Sequence, residues 1–189
     1  MIDIALMGRA GSGKDTLAGE LVLREGYHRV AFADPLREMA FAVDPIIGAG
    51  IVNGKFDHWQ RLSSIVAAYG WDVAKRDYPE VRRLLQRLGL EGVRRTFGDD
   101  AWLNIALRKI SSIRADGTPV VVTDVRFRNE LNALRERRFV AVWISRPGVS
   151  AGSHPSEAEL GPEDADHVVH NDSTPAKLYE QVKEALRKI

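Results

Sequence analysis

The stretch "IALMGRAGSGKDTLA", Ile4 to Ala18, decides the fold. Ile2 to Met7 reads as a buried strand and Lys14 to Arg24 as a helix, with a glycine-rich turn between them. Gly8, Gly13 and Lys14 satisfy G-x-x-x-x-G-K, and strand before with helix after is the context that spacing requires. Glycine lets backbone N–H groups turn onto phosphate oxygens with no Cβ in the way, and the positive end of the helix dipole adds to them. An ammonium at Lys14 bridges β- and γ-phosphates and stabilises charge as the γ-phosphoryl group moves.

The residue after Lys14 is Asp15, where many such loops carry a hydroxyl that ligates Mg²⁺, and Thr16 follows one place later. A carboxylate is a hard ligand suited to Mg²⁺, directly or through water, so Asp15 is a candidate metal ligand. An acid in the first helical turn is equally stabilised by the dipole, and the two readings are compatible. Thr16 can hydrogen-bond a phosphate. The order Gly-Lys-x-Thr resembles the nucleoside monophosphate kinases. A guanine-specific loop would need Asn-Lys-x-Asp, and "NGKFD" at Asn53 to Asp57 has the wrong spacing, which favours ATP.

Working outward, strands alternate with helices. Val30 to Phe32 reads as a short strand, and a helix starts near Pro35 with Asp34 as its cap. "DPIIGAGIVNGKFD" reads as loops and turns, and helices resume from His58 to Ala68 and from Pro79 to Leu88. In the latter, Val81, Leu84, Leu85 and Leu88 form one apolar stripe, with Arg82, Arg83, Gln86 and Arg87 away from it. Asp99 or Asp100 caps a helix to about Ile113; "PVVVTD" is a strand ending at Asp124; Asn129 to Arg138 is a helix and "FVAVWIS" a strand. "HVVH" is a last short strand and Pro175 to Lys188 a closing helix.

Strands separated by helices imply parallel pairing, hence a three-layer α/β fold with a central parallel sheet. The expected organisation is a single domain: a core of 1–33 and 114–189, a helical substrate-binding insertion over 34–113, and a lid-like loop over 146–164. The glycines and prolines of that loop suit closure that excludes water.

Composition narrows the chemistry. The chain has 189 residues, a net charge of +1 and no cysteine, which removes disulfides and thiolate chemistry. "MIDIAL" lacks a secretory pattern and no apolar run reaches spanning length, so a soluble cytoplasmic protein with no membrane partner is expected. Arginines cluster from Arg82 to Arg95 and at Arg126, Arg128, Arg135, Arg137 and Arg138. On a nearly neutral chain that pattern suits anionic small molecules rather than nucleic acid. Arg135, Arg137 and Arg138 read as a solvated helix face. His154 and His170 have no partner at metal-ligand spacing.

Asp124 lies at the carboxyl end of a strand, where open parallel sheets bind ligands, and is a second candidate metal ligand. Arg126 and Arg128 follow it. Donor and acceptor phosphates bring several negative charges into one cleft, and guanidinium forks suit that load.

The chain resembles the bacteriophage-type deoxynucleoside monophosphate kinases. The resemblance rests on "GSGKDT" at Gly11 to Thr16, "FADPLR" at Phe32 to Arg37, "YPEVRRLLQRLG" at Tyr78 to Gly89, "GDDAW" at Gly98 to Trp102, "DVRFRNE" at Asp124 to Glu130, "HPSE" at His154 to Glu157 and "HND" at His170 to Asp172. It implies a P-loop NTPase fold of the nucleoside monophosphate kinase type and transfer of the ATP γ-phosphate, with Mg²⁺, to a deoxynucleoside monophosphate. It implies catalytic roles for Lys14, Arg126, Arg128 and Arg94. It implies ATP binding by Gly11, Ser12, Gly13, Lys14, Asp15, Thr16, Arg146 and Asn171. Acceptor binding falls to Asp34, Arg37, Gln86, Arg94, Trp102 and Arg126, with Gln86 reading the base and Trp102 stacking on base or sugar. Leu90 stands where the family commonly has threonine, and Arg94, with Arg95 beside it, aligns with the family arginine. The location implied is the host cytoplasm for a phage-encoded chain, with a homodimer possible. The alternatives are a kinase for another phosphorylated acceptor, of the phosphomevalonate or dephospho-coenzyme A type, and a non-catalytic nucleotide switch.

Overall fold

The structure is a computed structural model that describes residues 2–98, 100–149 and 159–187. Asp99, the "HPSE" stretch and positions 150–158 of the expected lid lie outside the described residues. The chain divides into two compact units, Met1–Phe32 with Ile105–Ile189, and Ala33–Asn104.

The first unit is built on a five-stranded sheet in the order β2-β5-β1-β6-β7. Its strands are β1 (Ile4–Met7), β2 (His28–Val30), β5 (Val120–Val122), β6 (Val140–Ser145) and β7 (His167–His170). Every neighbouring pair is parallel, with Ile4 opposite both Val121 and Val140. Parallel strands need helical crossovers that cover both faces, which is why β1 and β5 are buried throughout. On one face, Ile4, Leu6, Val142 and Ile144 pack with Leu17 and Leu21 of α1 (Lys14–Glu25) and with Leu178 and Val182 of α8 (Pro175–Leu186). Side-chain alternation sends Ala5, Met7, Ala141 and Trp143 to the other face, where α7 (Arg128–Arg135) meets β6.

Polar groups tie this sheet together. Asp3 is 8% exposed; its Oδ1 accepts from Val120 N–H at 2.7 Å, and its Oδ2 lies 2.9 Å from Arg114 Nε. Asp166 Oδ2 accepts from Ala141 N–H at 2.8 Å while its Oδ1 pairs with Arg135. Arg135 also donates to Asp164 O, which ties α7 to a distant segment, whereas Arg137 donates to Ala133 O only four residues back; Arg135 and Arg138 are exposed, in keeping with the solvated face expected of them. The last helix begins as its sequence suggests, with Thr174 Oγ1 accepting from Lys177 N–H and Pro175 in the first turn.

The second unit holds α2 (Asp34–Val43), an antiparallel pair β3 (Ile46–Val52) and β4 (Lys55–Arg61), α3 (Leu62–Asp77) and α4 (Pro79–Gln86). A π-helical stretch, Arg87–Arg94, continues α4 and passes into α5 (Arg95–Phe97), and α6 (Ala101–Ala115) leads out of the unit. Ala40, Leu62, Ile65, Ala74 and Val81 form its core. The expected loop over 44–57 is instead the hairpin, which runs on to Arg61, so the helix expected from His58 begins at Leu62. Asn53 and Gly54 both have positive φ, 52° and 74°, the requirement of a two-residue turn that matches strand twist. Asp34 sits inside the first turn of α2 rather than capping it, with Ala33 at the cap.

Candidate functional site

The sheet order puts β1 between β5 and β6, although the chain visits β2 and β5 before β6. This is the topological switch point, and the loops beyond the carboxyl ends of β1 and β5 border the crevice it opens. The glycine loop follows β1; Asp124 and Arg126 follow β5.

Glycine is required at two positions of the loop by contact as well as conformation. Gly8 has φ 137°, and a Cβ there would lie 2.5 Å from the Ile144 carbonyl oxygen. Gly13 has φ 104°, and its Cβ would collide with the Asn171 side-chain amide. Lys14 Nζ donates to the Gly8 and Arg9 carbonyls, both at 2.8 Å, so the ammonium lies back over its own loop. Ser12 N–H donates to Arg9 O at 3.1 Å. Two side chains reach the loop from outside: Arg146 Nη1 donates to Gly11 O at 3.1 Å and Asn171 Nδ2 to Ser12 O at 2.8 Å. Asn171 is itself pinned by its N–H to Ser145 O at 2.7 Å. With these carbonyls held on one side, the backbone is braced in the shape that turns amides inward. Helix α1 opens directly from the loop with no side-chain cap, so its first N–H groups are of the kind an anion satisfies. Among the described residues the Ser12 hydroxyl is one of the buried groups with no hydrogen-bond partner.

Asp15 is highly exposed, 3.8 Å from Arg29 Nη2. Asp124 Oδ1 accepts from Phe32 N–H at 2.7 Å, which fixes the carboxylate at the end of β5. Among the described residues no group of three or more His, Asp or Glu side chains could hold a metal by itself. Each of these carboxylates is by its chemistry a hard oxygen ligand of the type Mg²⁺ takes beside phosphate oxygens and water.

The loop after Asp124 is shaped by a residue the motif reading did not assign. Glu130 is 4% exposed, and its Oε2 accepts from Arg126 N–H at 2.9 Å and Phe127 N–H at 3.1 Å. The signal was in the sequence, an acid three residues after the residue preceding the helix, reaching back to its backbone. Arg128 Nη1 pairs with Asp164 Oδ1 at 2.9 Å and its N–H donates to Glu159 Oε1 at 2.7 Å. Asp164 is held below the usual carboxylate range, chiefly by the Gly161 N–H and then by Arg128.

In the second unit, Asp34 Oδ1 lies 3.6 Å from Arg37 Nη1. Gln86 is exposed at the last residue of α4, and Arg94, half-buried, closes the π-helical stretch. Trp102 is 7% exposed and its Nε1–H donates to Gly89 O at 3.1 Å. The ring is packed, so its bearing on a base site runs through the backbone it holds.

The family model and the curated relatives agree on one family. The family model described as deoxynucleotide monophosphate kinase matches residues 56–182. A putative deoxynucleotide monophosphate kinase of Acanthamoeba polyphaga mimivirus is 30% identical over 96% of this chain and 94% of its own length. The deoxynucleotide monophosphate kinase of Escherichia phage RB69 is 33% identical over 57% of this chain, a match that spans 45% of the phage protein. A solved sugar kinase from Janibacter sp. HTCC2649 superposes with a TM-score of 0.50 at 15% identity, over 99% of this chain and 95% of that one, a likeness of fold. No helix among the described residues is long and apolar enough to cross a membrane.

Proposed function

Because the chain belongs to the deoxynucleotide monophosphate kinase family, we propose that it transfers the γ-phosphoryl group of ATP to the phosphate of a deoxynucleoside monophosphate, giving a deoxynucleoside diphosphate and ADP. The observation that carries this reading is the glycine loop at the switch point, braced by Arg146 and Asn171 and crossed by Lys14.

On this reading the amides of Gly11 to Thr16 hold the donor phosphates, Thr16 adds its hydroxyl, and Lys14 leaves the loop carbonyls for the β- and γ-oxygens. Mg²⁺, held by Asp15 and Asp124, would neutralise charge across the donor phosphates. Arg126, Arg128 and Arg94 offset the charge that gathers on the transferring group. Arg37, oriented by Asp34, grips the acceptor phosphate, Gln86 reads the base edge, and Trp102 supports the backbone at Gly89. No carboxylate base is needed, because an acceptor phosphate is already ionised at neutral pH. Catalysis is then positioning and electrostatics. The cytoplasm, where ATP and deoxynucleotides occur, is the compartment this activity implies.

The test is ADP release from ATP and Mg²⁺ with each common deoxynucleoside and ribonucleoside monophosphate in turn. Turnover with deoxy acceptors is the expected outcome. ATP binding with no turnover of any monophosphate would overturn the acceptor class.

A further inference from the structure

The β3–β4 hairpin is a two-stranded sheet of its own, and a lone ribbon of that kind is marginally stable in water. Its register sorts the side chains between two faces. Residues opposite each other across the strands share a face, as Ile51 does with Phe56, Ala49 with Trp59 and Ile46 with Arg61. The register shifts between Gly50 and Ile51, leaving Asp57 with no opposite residue, and this turns Phe56 onto the Trp59 face. The Phe56 and Trp59 rings accordingly touch, with centroids 4.9 Å apart. His58 belongs to the other face, where its ring lies over Gly50, and Ile47 packs on the core formed by Ala40, Leu62 and Val81.

The Trp59 face is apolar and open to solvent. Ile46, Ile51, Phe56 and Trp59 are 50%, 61%, 55% and 61% exposed. A whole aromatic side chain covers about 150–250 Å² and an isoleucine about 100 Å², so these four together expose on the order of 300–400 Å² of apolar surface. A protein interface of standard size covers about 800 Å² per partner, somewhat over half of it apolar. The face therefore carries most of the apolar area that one side of such an interface needs, and Ala49 beside Trp59 extends it. Its charges are balanced: Lys55 and Arg61 stand against Asp57 and Asp44, the latter 3.9 Å from Arg61. That balance gives no footing to a polyanion or to an anionic lipid surface.

We propose that this face docks a second copy of the same chain, the two ribbons packed face to face about a two-fold axis at Trp59. A two-fold axis brings identical surfaces together, so the face has to complement itself. It does so in relief and in charge. Bulky Trp59 stands opposite small Ala49, and the ring of each copy fits over the Ala49 of the other. With the ribbons antiparallel, the turn end of one, carrying Lys55 and Asp57, meets the base of the other, carrying Asp44 and Arg61, and opposite charges face each other at the rim. Each ribbon thereby gains the second layer it lacks.

The experiment measures mass by sedimentation equilibrium for the wild type, Trp59→Ser and Phe56→Ser. The range is about 1 to about 100 µM, because faces of standard size associate with micromolar or tighter affinity. The wild type is expected to pass from one chain to two. Each serine variant should weaken the dimer at least about tenfold, the loss typical of an aromatic at the centre of an interface. Circular dichroism of both variants at the lowest concentration should match the wild type, because the two rings are exposed in the single chain. The chain has no cysteine, so Ala49→Cys and His58→Cys each introduce one thiol, on opposite faces of the ribbon. A bismaleimide spanning about 10 Å, the spacing of packed sheets, should join two copies of Ala49→Cys and leave His58→Cys single. A wild type that remains one chain throughout, a dimer that both serine variants leave unchanged, or cross-linking of His58→Cys in place of Ala49→Cys overturns the proposal. A wild type that stays single and sediments with phosphatidylserine vesicles overturns it in favour of a lipid surface.

Discussion

Gly13 concentrates the residue-scale physics of this protein. Its φ of 104° and the Asn171 amide against its open side leave no room for any other residue. Gly13→Ala is therefore expected to abolish nucleotide binding, measured by titration with ATP and Mg²⁺, because the substitution must either displace Asn171 or reshape the loop that Asn171 braces. Glu130 makes a second, gentler case. Glu130→Ala would strip two backbone N–H groups at Arg126 and Phe127 of their acceptor, costing about 1–3 kcal/mol. The expected result is a melting temperature several degrees lower together with a lower kcat, and Glu130→Gln, which keeps an acceptor oxygen, should recover most of both. The G-x-x-x-x-G-K spacing was legible because its chemistry is local: backbone turn, amide donors and lysine lie within one stretch. The partners of Asn171 and Arg146 were not legible, since those bonds join residues 159 and 135 positions apart and no local pattern encodes them. Asn171 was expected among the ATP-binding residues; in the structure its side chain reaches the glycine loop.

At the scale of elements, the parallel strands were read from short apolar runs bounded by turns, although the second, expected at Val30 to Phe32, is His28–Val30 in the structure. The β3–β4 hairpin was missed. Its strands carry glycines and exposed polar residues with little alternation, and β4 is exposed along nearly its whole length, so no buried face leaves a period-two signature. The Asn53-Gly54 pair was the available signal. Gly54→Ala places a Cβ in the left-handed region at φ 74° and should cost about 1–2 kcal/mol with no packing change, since nothing lies near that Cβ. A fall of a few degrees in the melting temperature, followed by circular dichroism, is expected; an unchanged value would mean the hairpin contributes nothing to the folded unit. The π-helical stretch was likewise outside what periodicity carries. Arg95 N–H reaches back to Leu90 O, a five-residue step that inserts an extra residue into the turn and sets the direction from which Arg94 emerges. An apolar stripe read with a period of 3.6 continues smoothly through such a stretch and gives no warning of it.

At the scale of the molecule, the ionisable groups set the pH range of stability. Glu25 is lowered by its hydrogen bonds from Lys183 and Tyr179, and Asp164 by the Gly161 N–H and Arg128. A carboxyl whose folded value is depressed stabilises the fold above its unfolded pKa, and that stability drains away as pH falls through the folded value. On the alkaline side, burial pushes the Tyr27 phenol up to about 12, and Glu25 raises Lys183. Groups raised on folding stabilise fully below their unfolded values and lose that stability as pH climbs through the folded ones. The melting temperature should therefore be flat near neutrality, fall below about pH 4 and fall again above about pH 10. Absorbance at 295 nm should show one tyrosine ionising only near 12; if every tyrosine titrates near its ordinary value, the buried environment of Tyr27 is wrong. The same sheet that buries Tyr27 at its amino end places the glycine loop, Asp124 and Arg126 at its carboxyl end, so the acid and alkaline limits bear on the frame that holds the candidate site. The most direct test of that site follows the γ-phosphoryl group itself: ATP labelled at the γ-position is mixed with Mg²⁺ and a deoxynucleoside monophosphate, the reaction is quenched, and the products are separated. The label should appear in the deoxynucleoside diphosphate with the wild-type protein, and Lys14→Ala should lower its rate by on the order of 10²–10³, the loss typical of removing one preorganised charge donor. Label found only in inorganic phosphate, or transfer unaffected by Lys14→Ala, would contradict the assignment of this loop as the phosphoryl-transfer centre.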